Sequence, residues 1–224
     1  EVELALLLDL AAVRLATGQV DGARYAYLRC LAIRPVCKPA LLAMGKMALQ
    51  RGDEQDARAH LGKLAGQQER DGLVLEARRL LARGAGSAGR EQEELDALRA
   101  LLDLEDDPAE RFRVASRIGE LRAASGDRED ALLAYRRALD ANPDHASTLW
   151  ATARLLGELG RFHEHAAALE RLLLLPPAPG VPDAPARLAL LRELYGSVPE
   201  AALADPASAT RLAEERKLEE LAAL

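Results

Sequence analysis

Five glycines set the rhythm of this 224-residue chain. Gly18 and Gly52 lie 34 residues apart, and so do Gly126 and Gly160. Gly89 divides the interval between the two pairs into 37 and 37. Their surroundings recur too: Thr17-Gly18 is followed by Gly22-Ala23, and Ser125-Gly126 by Asp130-Ala131. A period of this length belongs to a helix–turn–helix unit, which cannot bury its own apolar face and stacks on neighbours of the same kind.

The composition agrees with an all-α stack. Apolar residues make up 49% of the chain but aromatics only 3%, so the core is built of Leu and Ala, which suits closely packed helices. Val, Ile and Thr are too sparse for a sizeable sheet. The net charge is −6, with acids and bases interspersed, which argues against a nucleic-acid partner, since that needs a concentrated basic face. No run approaches the ~18 uncharged apolar residues of a membrane span. Cys30 and Cys37 are too few for a disulfide framework, and a reducing, cytoplasmic compartment is the default expectation. No leader is visible, and Glu1 already sits in helical pattern, so a fragment of a longer polypeptide is expected.

The clearest unit is 112–145. Val114, Ala115, Ile118 and Leu121 form an apolar stripe at helical spacing. Gly119 interrupts it, which predicts close approach of a neighbouring helix. Ser125-Gly126-Asp127 turns the chain, and Ala131, Tyr135, Ala138 and Leu139 carry the second apolar face. Asn142-Pro143 ends that helix, because the residue before Pro is pushed out of the helical region. These residues resemble the tetratricopeptide repeat: a small residue midway in helix A, Ala early in helix B, an aromatic four later, Ala-Leu after that, and a closing Pro. Residues 4–37 repeat the pattern with Ala11, Ala23, Tyr27, Cys30-Leu31 and Pro35, and residues 38–71 with Gly45, Ala57, Leu61 and Leu64-Ala65. Residues 146–179 carry Ala153, Leu169 and Leu172-Leu173, with His165 in place of the early Ala. The middle unit, 72–111, is weakest. Its run Gly84 to Gly89 reads as a lengthened inter-helix turn, and Ala97, Leu101 and Leu104 as its helix B row.

The resemblance implies a right-handed superhelical solenoid of antiparallel helix pairs over 1–175, with a concave groove lined by the first helices. Pro176 to Pro185 holds five prolines and reads as an extended connection. Residues 186–224 then form a further helical hairpin or capping helices, with a helix start at Asp205-Pro206 and Leu212, Leu218, Leu221 and Leu224 along it.

By the same resemblance, Arg113, Ser116, Arg117 and Glu120 of unit four face the groove, with Ser147, Trp150, Ala151 and Arg154 of unit five. Arg113 and Arg117 are four apart and share a helix face, so with Arg154 they could hold a carboxylate or a phosphate. Some members of the family clamp a peptide's terminal carboxylate with Lys, Asn and Arg. Arg113 and Arg117 match the last two basic places, while Leu8, Ala12 and Ala43 stand where Asn and Lys would be. Trp150, the only tryptophan, is a partner anchor or a core residue. Leu8 and Leu42, with Ala5, Ala12, Leu15 and Leu49, would make an apolar stretch of groove.

No metal or cofactor site is indicated. His163 and His165 diverge around a helix, Cys30 reads as a buried inert thiol, and the glycine run lacks a phosphate loop's Gly-Lys-Ser/Thr ending. Asp103, Glu105, Asp106 and Asp107 read as a solvated or capping acidic turn. The expected function is a non-catalytic scaffold binding a protein or peptide partner, acidic where it meets the arginine row. A self-assembling structural element, forming a homo-oligomer, and a regulatory domain of a larger protein are the alternatives. The Ala- and Arg-rich wording looks bacterial.

Overall fold

In a computed structural model, residues 1–197 are described. The helix start at Pro206 and Leu212, Leu218, Leu221 and Leu224 lie outside the described residues. The described chain is helical and forms two compact units that divide at Asp106 and Asp107.

The first unit contains α1 (Val2–Ala16), α2 (Val20–Ile33), α3 (Lys38–Gln50), α4 (Glu54–Ala65), α5 (Gly72–Ser87) and α6 (Glu91–Leu102). The second contains α7 (Pro108–Ala124), α8 (Arg128–Ala141), α9 (Ala146–Glu158), α10 (Phe162–Leu173) and α11 (Ala184–Ser197). Up to α10 the helices come in antiparallel pairs joined by tight turns, as the repeat predicts.

The turns follow from the glycines. Gly18, Gly52, Gly89, Gly126 and Gly160 all have positive φ, between 68° and 84°, a conformation side chains resist. The N–H after each glycine donates to the carbonyl five residues back, as Gln19 does to Arg14 at 2.8 Å and Asp127 to Arg122 at 2.9 Å. This left-handed C-cap satisfies carbonyls that the helix end leaves open. Asp53, Asp71 and Asp107 accept backbone N–H bonds at the next N-termini, and Pro39 and Pro108 sit in first turns, where proline loses nothing.

Each hairpin closes by a small residue on helix A against a large one 16 residues later on helix B. Ala11, Gly45, Ala82, Gly119 and Ala153 are all buried, and so are their partners Tyr27, Leu61, Leu98, Tyr135 and Leu169. A Cβ on Gly119 would lie 2.5 Å from the Tyr135 ring, and one on Gly45 2.5 Å from Leu61. The close approach expected at Gly119 is therefore real.

The middle repeat, 72–111, corrects two expectations. The run Gly84 to Gly89 does not lengthen the turn: α5 continues to Ser87 and leaves only the residues around Gly89 to turn. The extra residues extend helix A, to 16 residues in α5 and 17 in α7 against 13 in α3. Three residues approach one helical turn, so the buried face is kept. The helix B row is Glu94, Leu98 and Leu101 rather than Ala97, Leu101 and Leu104. The positive-φ glycine sets where α6 begins, and the early position lies five residues beyond it. Glu94 there is buried, and Gly86 makes room: a Cβ on Gly86 would meet its carboxyl at 2.8 Å. His165 is housed the same way, 2.9 Å from a Cβ built on Gly157.

The acidic turn is likewise more than a solvated cap. Asp107 caps α7, but Glu105 is buried against Arg79, and Asp106 takes two bonds from Arg70 at 3.0 and 3.1 Å. After α10 the proline-rich connection ends two residues earlier than expected, since Asp183 caps α11 (its carboxylate accepts from Ala186 at 2.9 Å) and Pro185 falls in the first turn. Arg187 is buried beneath this connection and donates to the Leu172 carbonyl at the end of α10.

Candidate functional site

In unit two, α7 and α9 enclose a pocket of about 360 Å³, with α8 behind it. Phe112, Arg113, Ser116, Arg117 and Glu120 come from α7, Tyr135 from α8, and Ser147, Thr148 and Ala151 from α9. His145, the N-cap of α9, completes the lining.

Helical spacing explains the α7 wall. Residues 113, 116, 117 and 120 follow i, i+3, i+4, i+7 and share one face, opposite the buried Val114, Ala115 and Ile118. All four groove residues expected on α7 therefore line the pocket. Arg113 bonds to Glu110 at 2.6 Å and Arg117 to Glu120 at 3.1 Å. Arg117 and Glu120 are both exposed, so theirs is a solvent-screened pair worth ~0–1 kcal/mol, whereas Arg113 is 68% exposed but its partner Glu110 only 22%. Glu158, at the end of α9, pairs with Arg128 at 2.6 Å and not with this row.

The floor is polar. Ser116 Oγ is shielded from solvent and has no hydrogen-bond partner among the described residues, and the buried Tyr135 adds its phenol. Burial pushes the Tyr135 pKa up, the Glu120 charge adds to this and the Arg154 charge opposes it. Such hydroxyls favour a ligand that offers hydrogen-bonding atoms.

His145 has a role that a metal-ligand search of the sequence overlooks. Its Nδ1 accepts from the Thr148 N–H at 3.3 Å and lies 2.9 Å from Thr148 Oγ1. The ring sits against Phe112, centroids 4.5 Å apart. Its place directly before α9, where Ser or Asp usually caps, is the signal that could have shown this. Among the described residues no cluster of three His, Cys, Asp or Glu side chains is arranged to hold a metal, and no helix is long and apolar enough to cross a membrane.

Other expected site residues lie elsewhere. Arg154 is exposed and outside the lining, though near enough for its charge to act on Tyr135. Trp150 is half-buried and packs on the unit-two core beside Leu149 and Leu188. Leu8 is half-buried against the α1–α3 core of unit one. Leu42 is only 6% exposed, enclosed with Leu41, Leu61 and Val74, because that face of α3 turns towards α4 and α5.

No family model and no curated protein matches the chain. Solved structures do resemble it. The MamA protein matches with a TM-score of 0.53 at 20% identity, over 79% of this chain and 98% of its own. YrrB, described as a TPR protein with an unusual peptide-binding site, gives 0.52 at 15% identity, over 77% and 86%. A tetratricopeptide repeat protein from Parabacteroides merdae gives 0.53 at 16% identity, over 88% and 73%.

Proposed function

We propose that this chain, whose fold is that of tetratricopeptide-repeat proteins, is a non-catalytic interaction scaffold that takes a peptide or partner helix in the α7–α9 pocket. The observation that carries the reading is the convergence of two exposed arginines over the unpaired Ser116 hydroxyl in one concave site. A peptide-binding site described for YrrB, on the same fold, supports it.

The chemistry is that of exchange. An incoming carboxylate competes with Glu110 and Glu120 for Arg113 and Arg117, whose side chains reach solvent. Ser116 and Tyr135 then take up main-chain or amide groups, and the Phe112–His145 wall receives an apolar side chain. Arg154 extends the positive charge towards Tyr135.

Selection of a random peptide display library on the immobilised chain tests this. Enrichment of acidic peptides that no longer bind an Arg113→Glu/Arg117→Glu variant is expected. Peptides that bind wild type and variant equally, or no enrichment at all, would refute the basic-pocket reading.

Self-assembly is favoured by a separate observation on α1. Val2, Leu6 and Val13 are 76%, 63% and 61% exposed on the helix face opposite the buried Leu4 and Ala11. Sedimentation of the chain at rising concentration, beside Leu6→Glu/Val13→Glu, tests this: a mass above monomer that the variant abolishes supports stacking, and a monomer throughout excludes it.

A further inference from the structure

Unit one has a cavity of its own, of about 280 Å³, between α4, α5 and α6 near the turns that close their hairpins. Its lining is apolar at depth, from Leu49, Leu61, Leu80, Leu81 and Ala85. Two features distinguish it from a gap in packing.

The first is Gly84. A glycine inside a helix loosens it relative to alanine, so it usually marks a close neighbour. Gly86, on the same helix, has one in Glu94. Gly84 has none: a Cβ there would meet nothing within 4 Å, and the residue lines the cavity. Packing does not ask for glycine at this position, whereas an occupant of the cavity does.

The second is the charge of the rim. Glu54, Glu93 and Asp96 face Arg58 and Arg90. Both arginines are already engaged: Arg90 with Glu54 and Glu93, each at 2.9 Å, and Arg58 with Glu93 at 3.6 Å. Among the described residues Asp96 accepts only from the neutral Gln92, at 2.9 Å. The rim therefore has negative charge to spare around an apolar hole.

We infer that this cavity seats one bulky apolar side chain presented by a basic segment of a partner protein. The apolar residue enters over Gly84 and Ala85. Flanking Lys or Arg residues meet Asp96 and the outer face of Glu54. Rim charges steer and orient such a partner, and the filled pocket supplies the anchor.

NMR titration of the full ¹⁵N-labelled chain with the peptide acetyl-Gly-Lys-Arg-Phe-Lys-Arg-Gly-amide tests this. Saturable shifts centred on the Gly84, Ala85 and Ala97 amides are expected, weakening as salt is raised. Gly84→Leu fills the cavity from open space, so the fold should persist and affinity should fall by about tenfold, the effect of losing an anchor. Gly84→Ala should lie between, and Asp96→Lys should weaken binding several-fold without filling the pocket. Three results would each overturn the inference: no saturable change at these amides, unchanged affinity in Gly84→Leu with an intact spectrum, or equal binding of peptides in which Phe is replaced by Ser or the basic residues by Glu.

Discussion

Replacing Gly119 by Ala sets two effects of similar size against each other. Alanine is the better helix former, and the swap alone would stabilise α7 by ~1 kcal/mol. Against this, the new Cβ would lie 2.5 Å from Cδ1 and Cε1 of Tyr135 and 2.9 Å from its Cγ. These are ring atoms rather than the loose end of a flexible chain, and Tyr135 is only 6% exposed, so the ring must be pushed off its packing towards the pocket it lines. Overpacking of this kind costs ~1–3 kcal/mol. The steric effect wins, and Gly119→Ala should destabilise the protein by about 1 kcal/mol net after the propensity gain. Gly84→Ala is the control, since its Cβ enters open space and only the propensity gain remains. Urea unfolding followed by circular dichroism should show the midpoint falling in Gly119→Ala and rising in Gly84→Ala. Adding Tyr135→Leu to Gly119→Ala should recover part of the loss, since Ala153 and Leu169 hold the same two places in the last hairpin and are both buried. A midpoint that rises in both single variants would refute the claim that Gly119 is a packing glycine.

Other outcomes follow from named groups. Gly126→Ala should cost ~1–2 kcal/mol because φ there is +84°, and Gly126→Asn should cost less; both are read from the same urea midpoints. Burial holds the His165 pKa below its usual value, and its Nδ1 is buried without a partner. The neutral ring is thus favoured in the fold, so stability should fall as pH drops through the unfolded value near 6.5 and level off below the folded pKa. A melting-temperature series over that range, compared with His165→Ala, should show a shallower slope in the variant. Cys30 and Cys37 are both buried and free, and burial pushes the Cys30 thiol up, with Cys37 adding to the shift. Iodoacetamide should therefore label neither at neutral pH until denaturant is added, as read by mass spectrometry.

The sequence alone determined the architecture because its signals were local and repeated. A glycine in a left-handed turn, a proline that ends a helix and an apolar stripe act within a few residues of themselves, and five copies of the glycine turn leave little ambiguity. That is why Gly18 to Gly160, the paired helices and the shared face of Arg113 and Arg117 could all be read directly. Tertiary structure decided what depends on a neighbour. The run from Gly84 is helix because Glu94 packs beneath Gly86, and no local propensity favours that outcome over a turn. Glu94 and His165 occupy positions that alanine holds elsewhere because helix A yields a side chain opposite them, a compensation made between residues eight positions apart in separate helices. The joining of Phe112, Tyr135 and His145 in one pocket, and the cavity over Gly84, likewise arise only when helices meet, since a pocket is a property of packing and has no periodicity of its own.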